Sequence, residues 1–542
     1  MNALTANASG RPNSRTVERG KGAVTALARA EAMRLLRHPA FLASLAGYFA
    51  LWGYDLTFGA AAERYPVLQE SSWSGQLPLL LIAAGTLLAA NLGALRGQRH
   101  GVEPMYTVLV LSRRARTAAH LLAVLPAVAL AVALAAARIL VLATRPGAVG
   151  TINWAEVATG PAAVLFAGTL GVLLARLSGS TASAPLAVAG LGVLTFVAAV
   201  QNTANWRWLT VVAIEDEFAQ PLPSALLARP TAAHLLWLAA LSAGCVALAL
   251  LRDGPDATPD AQHRGTGALR TCTAAAAVLA VLAGALQLRP VPDDVSRART
   301  LATEHPAWEQ RCSTRGQVTY CAFPEFSGRV AQWDGVVRGI LRRAPARIAD
   351  DRFAVRQRLF HPGSQPHSGG QLPQDAWDAD DRRAHTPGAV PVGTWWSAGN
   401  AGQEAASDAV AEFSTLFAYR TVTGKLPNKP RTDKVCGSRA VLTLWLAGQA
   451  TNETRNALHN LTSRTTGGLS LLVQESSTGL AFDAREVTYA LDLLDRPAPD
   501  LGAKARAAWL ELTAPGATTD RAARILGVPA PPQVPAEERM CQ

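Results

Sequence analysis

From about Phe41 to Leu288 the chain runs in long stretches of Ala, Leu, Val and Gly broken by short polar connections; from Arg289 onward apolar and charged residues mix at short period. Crossing a hydrocarbon core of about 30 Å takes roughly 20 apolar residues in a helix. Seven stretches approach that length: Pro39–Phe58, Leu77–Leu95, His120–Thr144, Gly160–Ala175, Ala182–Val200, Ala232–Leu251 and Thr271–Leu288. Ahead of them, Val24, Leu27, Ala28, Leu35 and Leu36 alternate with Arg29, Glu31, Arg34 and Arg37, an amphipathic helix suited to the inner leaflet or to a plain solvated lead-in. The first 38 residues are polar and basic, without the apolar core of a cleavable signal peptide.

In the second half the apolar spacing is that of amphipathic helices over Phe326–Leu341, Ala405–Tyr419, Ala440–Leu446, Glu453–Leu461, Arg485–Leu494 and Lys504–Leu512, with a long loop from His361 to Pro391. The expected fold is therefore an all-α polytopic membrane protein of about seven transmembrane helices, followed by a mainly helical soluble domain. Its divisions are a cytoplasmic segment over 1–38, a transmembrane domain over 39–288 and an extracytoplasmic domain over 289–542.

Composition alone hides this partition, because 49% hydrophobic and 17% charged residues are averages over two unlike halves. The net charge of +11 invites a nucleic-acid reading. Placement argues against it, since the first half's arginines sit between apolar runs instead of gathering on one folded face. The amino-terminal segment holds Arg11, Arg15, Arg19, Lys21, Arg29, Arg34 and Arg37. The connection after the second run holds Arg96, Arg99, Arg113, Arg114 and Arg116, and later ones on that side hold Arg176, Arg252, Arg264 and Arg270. Arg64, Arg145, Arg207 and Arg229 are all that the other side offers, a bias of about fourfold that puts the amino terminus in the cytoplasm. An odd number of spans then carries residues 289–542 outside.

Cysteine usage is an independent check. Cys312, Cys321, Cys436 and Cys541 all fall in the second half, which allows two disulfides in an oxidising compartment. Of the three pairings, the one joining Cys312 to Cys321 across a Gly-containing turn is favoured; four incidental thiols are the alternative.

The most informative connection runs from Arg96 to His120. Gly101 and Glu103 open it; Met105, Tyr106, Val108, Leu109 and Leu111 form an apolar helical body, and Ser112, Arg113, Arg114 and Arg116 lead into the next run. An apolar knob edged with charge can seat in a partner's groove and act as a lever. A loop whose arginines only hold topology is the plainer reading. This segment resembles the cytoplasmic coupling helix of type-2 ABC transporter permeases of the exporter-like class, and the order of parts resembles that family over roughly residues 24 to 251. Such a resemblance implies a permease subunit in a bacterial cytoplasmic membrane, paired with itself or a sister permease. It also implies that Gly101, Glu103, Met105, Tyr106, Leu109, Ser112, Arg113, Arg114 and Arg116 dock on a separate cytoplasmic ATP-binding subunit.

The chain lacks a phosphate-binding Gly-x-x-x-x-Gly-Lys-Ser/Thr loop, and Gly424-Lys425 has neither the earlier Gly nor the following hydroxyl. ATP would thus be bound by the partner, with no cofactor in this chain and no catalysis by it. Asp55 and Arg138 are nearly alone as ionisable residues within runs and are expected to snorkel from the ends, so no proton relay for a secondary carrier is legible. Gly85, Ala89, Gly168, Gly171, Gly190 and Gly192 suit close helix packing or a dimer seam. In the second half, His305, His361, His367, His385 and His459 form no catalytic or zinc pattern, and Asp375, Asp378, Asp380 and Asp381 are expected in a solvated loop. A membrane-anchored sensor or enzyme, with the outer domain carrying the activity, is the rival reading.

Overall fold

The computed structural model describes residues 14–58, 65–101, 111–200, 205–213, 221–253, 259–359, 374–397, 408–427, 432–465, 467–473, 479–496, 499–533 and 540–541. The first half is helical throughout: α1 Ser14–Leu36, α2 Pro39–Thr57, α3 Leu68–Ser74, α4 Leu79–Arg99, α5 Arg113–Leu122, α6 Leu125–Ala143, α7 Trp154–Ser178, α8 Ser183–Val200, α9 Thr231–Arg252 and α10 Pro259–Gln287. Six helical stretches are long and apolar enough to cross a membrane, supplied by α3–α4, α5–α6, α7, α8, α9 and the part of α10 from Thr266. The protein is a polytopic helical membrane protein. The seventh expected run, α2, falls below that apolar measure because Tyr48, Trp52, Tyr54 and Asp55 dilute it.

Packing nevertheless aligns α2 with the others. Gly85 of α4 lies against Ala40 and Ser44, and Gly47 lies against Leu81, so α2 runs antiparallel to α4. The central helix is α7, which begins at Asn153, whose side chain accepts from the amides of Ala155 and Glu156. Its Gly160 faces Leu79, Gly168 faces Val124 and Thr86, and at Gly171 a Cβ would stand 2.4 Å from the Leu87 carbonyl oxygen. These glycines let α4 and α7 run side by side and parallel, the close approach that small residues permit in a bilayer. Arg176 at the end of α7 meets Asp253 at the end of α9 (3.6 Å), while Gln287 at the end of α10 meets His234 at the start of α9 (2.8 Å). Successive helices therefore alternate between two ends of the bundle, here named after Arg96 and Arg138.

The second half contains α11 Asp293–Glu304, α12 Val330–Leu341, α13 Ala346–Ala349, α14 Gln374–Arg383, α15 Ala409–Thr423, α16 Gly437–Gln449, α17 Asn452–Ser463, α18 Ala484–Asp495, α19 Pro499–Ala507, α20 Trp509–Leu512 and α21 Thr519–Leu526. Helices predominate as expected, but two small sheets were not anticipated. Strands β1 Arg311–Arg315, β2 Val318–Ala322, β3 Phe353–Gln357 and β4 Val390–Val392 lie in that order, antiparallel at β1–β2 and parallel after it. Strands β5 Thr432–Val435, β6 Leu469–Leu472 and β7 Gly479–Phe482 form a sheet of order β5-β7-β6. At three to five residues these strands are too short for alternation to stand out from the helical pattern around them. A single apolar core, from Val318 to Val528, joins both sheets to α12, α15, α16 and α18.

That core meets the Arg138 end of the bundle through a separate cluster of Val67, Val149, Leu222, Leu226, Ala302, Phe323, Phe326 and Leu359. Polar contacts reinforce the junction. Arg299 donates to the Leu226 carbonyl (2.8 Å), Gly150 donates to the Glu325 carbonyl (3.0 Å), and Tyr65 donates its hydroxyl proton to Glu453 (2.9 Å).

Candidate functional site

Part of the expected docking segment can be placed. Gly101 follows α4 with a positive φ of 65°, a left-handed turn that glycine adopts without cost and that ends the helix. Glu103, Met105, Tyr106 and Leu109 lie outside the described residues. At the far end Ser112 is the N-cap of α5, its hydroxyl accepting from the Ala115 amide at 3.2 Å. Arg113 is exposed, and Arg114 and Arg116 are half-buried. Gly101, Ser112 and the three arginines therefore share the Arg96 end of the bundle.

What holds this end together is a set of polar contacts that sequence reasoning did not single out. Glu31 of α1 is buried and lies 2.5 Å from Arg34 and 3.3 Å from Arg96 of α4. Thr117 of α5 donates to Asp253 after α9, and Arg176 of α7 faces the same carboxylate. α1 packs along α5. The exit of the segment is thus joined to α7 and α9 through one aspartate, while α1 is pinned to α4 by one glutamate. Single acids among many arginines were the available signal; the pairing needs the bundle's geometry.

The Arg138 end is built differently. Arg229 lies 3.0 Å from Glu70 and 3.3 Å from Glu156, with its guanidinium 5.4 Å from the Trp73 ring centroid. Arg138 lies 3.0 Å from Asp55 and donates to the Ser71 carbonyl. Asp55 and Arg138 therefore do not snorkel apart as expected; they pair across α2 and α6, which removes two lone charges from the bundle edge. Between Asn205 and Thr231 the described residues form short 3-10 turns, Asn205–Leu209 and Ser224–Leu226, with Trp208 buried beside His234.

Among the described residues no group of three or more His, Cys, Asp and Glu has metal-binding geometry. His459 pairs with the exposed Asp495 at 3.1 Å, and His305 stacks near Trp308. Gly424 ends α15 in the left-handed conformation, so Gly424-Lys425 is a helix cap.

The aspartate run corrects the expectation of a solvated loop. Asp375, Asp378, Asp380 and Asp381 all lie on α14, and Asp380 and Asp381 are buried against two arginines of β3 and its end. Arg356 lies 2.8 Å from each of the two carboxylates, Arg358 also faces both, and Arg358 sits 4.9 Å from the Trp377 ring centroid. Burial pushes the Asp381 carboxyl up and the Arg358 guanidinium down, each opposed by its partners. Arg356 and Arg358 are i and i+2, hence on one face of an extended chain. That spacing was visible in the sequence but has meaning only once the strand is known. The quartet is charge-balanced and closed to solvent, a brace between α14 and the first sheet.

Both disulfides are formed, Cys312 to Cys321 and Cys436 to Cys541. The first joins directly opposed residues of β1 and β2, brought together by a two-residue turn with Gly316 at φ 61°. The second ties the start of α16 to the carboxy-terminal tail. No family profile, curated protein or solved structure matches this chain.

Proposed function

We propose that this chain is the permease subunit of an ATP-driven exporter whose ATPase is a separate polypeptide, moving its substrate by alternating access with a second permease copy or sister. The observation that carries the reading is the anchorage of the segment from Gly101 to Arg116. It leaves α4 at a left-handed glycine, re-enters through an N-capped α5, and α5 is tied to α7 and α9 through Thr117, Asp253 and Arg176. A displacement applied to the segment would act on several helices at once, which a loop serving only topology does not require.

Orientation belongs to the same reading. Taking α2 as a seventh span, in keeping with its antiparallel run beside α4, the arginine-rich connections share one end, the cytoplasmic one. The disulfide-bonded second half then stands outside, in keeping with the compartment where disulfides persist. Detergent co-purification of a tagged copy with its candidate ATPase, comparing wild type with a Glu103→Ala, Arg113→Glu, Arg114→Glu variant that inserts normally, tests the proposal. Retention by wild type and loss by the variant supports docking through this segment. If no ATPase is retained by wild type, the permease reading fails.

A further inference from the structure

On the second half, the ends of α12, α16 and α18, the start of α17 and one side of α19 surround an open cleft of about 750 Å³. Arg342, Arg343, Arg455, Arg496 and Arg506 line it together with Trp445. None of the five guanidiniums has an ion-pair partner among the described residues. The acid on the rim, Asp495, is engaged by His459 at 3.1 Å. Arg343 and Arg455 instead both donate to a neutral acceptor, the Gln449 amide oxygen, at 3.3 Å from each, and Arg343 also donates to the Gly339 carbonyl at 3.0 Å. Burial and the charges of Arg342, Arg455 and Arg506 all push the Arg343 guanidinium downward, the sign of uncompensated repulsion.

The plain account of such arginines is that they serve helix carboxy termini, where the backbone dipole favours cations. It covers Arg342 and Arg496, which cap α12 and α18, Arg343, which donates to the Gly339 carbonyl in the last turn of α12 (3.0 Å), and Arg506 in the last turn of α19. It does not cover Arg455, which sits in the opening turn of α17, where the dipole disfavours a cation. Two donors also lack acceptors at this cleft: the indole nitrogen of Trp445, a residue 5% exposed, and Nε of Arg455. Converging guanidiniums with spare donors match phosphate oxygens, which accept forked, charge-assisted hydrogen bonds.

We infer that this cleft is a binding site for a phosphate-bearing anion, of the size of a diphosphate or larger, held by Arg342, Arg343, Arg455, Arg496 and Arg506. The volume exceeds what a single phosphate fills, and five cations less the rim Asp495 leave a net positive charge that suits two linked phosphates better than one. The source of that chemistry is a soluble phosphate compound or an anionic lipid headgroup. Tyr65, in the connection after α2, donates to Glu453 only two residues before Arg455, so the cleft lies near the junction with the membrane helices. The site stands apart from the permease reading and requires no ATPase.

The test uses full-length protein in detergent, titrated calorimetrically with inorganic pyrophosphate, and in parallel native mass spectrometry after incubation with the two-phosphate lipid cardiolipin or with phosphatidylcholine. The variant Arg342→Gln, Arg496→Gln removes two exposed arginines that make no side-chain hydrogen bonds, and an unchanged thermal melt establishes that it folds. Arg382→Gln, Arg383→Gln on α14 changes net charge equally elsewhere. Saturable pyrophosphate binding weakened about tenfold in the cleft variant and unchanged in the control identifies a soluble ligand. Selective retention of cardiolipin, lost only in the cleft variant, identifies a headgroup. If wild type takes up neither probe, or both variants respond alike, the site does not exist.

Discussion

Leu186, Val193, Phe196 and Val200 of α8 face outward at 62% to 70% exposure, whereas Arg356, Arg358 and Asp380 of the second half are at most 1% exposed. All but four of the large apolar side chains exposed on the described residues precede residue 289; the four are Leu301, Trp308, Leu472 and Leu510. A water-facing half hides apolar groups in one core and can enclose charge only where partners neutralise it. A lipid-facing half has no reason to hide leucine, and it secures its helices by glycine contacts along their length and by ion pairs at their ends. The two halves thus bury different groups, and each should fail by its own mechanism.

The largest separation comes from the long disulfide. Replacing Cys436 and Cys541 by Ser opens a link spanning 105 positions. It should cost the second half about 4 to 5 kcal/mol and leave the bundle unchanged. Calorimetry in detergent should show one transition falling while the other holds; if both fall together, the halves are one cooperative unit. Arg356→Met leaves Asp380 and Asp381 to share Arg358, one buried negative charge without a partner, and should cost about 3 to 5 kcal/mol, again confined to the second half, as read by chemical unfolding.

The bundle's counterpart is Gly171→Ala, which drives a methyl into the Leu87 carbonyl. Overpacking of this kind costs about 1 to 3 kcal/mol, measurable as a shift in dodecyl sulfate unfolding followed by tryptophan fluorescence. Alkaline titration should again separate the halves. Burial and the neighbouring Asp433 hold the Tyr419 phenol up, to about 12, so the folded state keeps a proton that the unfolded chain releases near pH 10. That contribution is complete below pH 10 and lost as pH rises towards 12. Tyr419→Phe should flatten the alkaline decline of the second half in thermal melts. Smallest of all, Gly190→Ala meets nothing within 4 Å, and should be neutral or stabilise α8 by about 0.5 to 1 kcal/mol in the same dodecyl sulfate assay.

The membrane helices were legible because each is a run long enough to outweigh its ends, and α4, α8 and α9 begin within two residues of their expected starts. In α2 two tyrosines, a tryptophan and an aspartate lower the apolar content, and its place beside α4 emerges only from packing. Amphipathic spacing also located α12, α16, α17 and α18. It missed all seven strands, and it read Asp375, Asp378, Asp380 and Asp381 as loop, because a helix of ten residues with four acids on it carries little apolar signal until Arg356 and Arg358 face it. The pairing of Cys312 with Cys321 was favoured from their closeness, and Cys436 with Cys541 is the remaining partnership.

Local order along the chain determined where lipid-facing helices lie, which connections carry arginine, and that the second half has its own apolar periodicity; each depends on neighbours within about 20 residues. Only tertiary structure decided that Glu31 bridges α1 to α4, that Asp253 serves both α5 and α7, and that five arginines spread over more than 160 positions meet at one cleft. Charge pairing acts over a few ångströms in space and leaves no period in sequence, so these contacts became readable only when the fold had brought their members together.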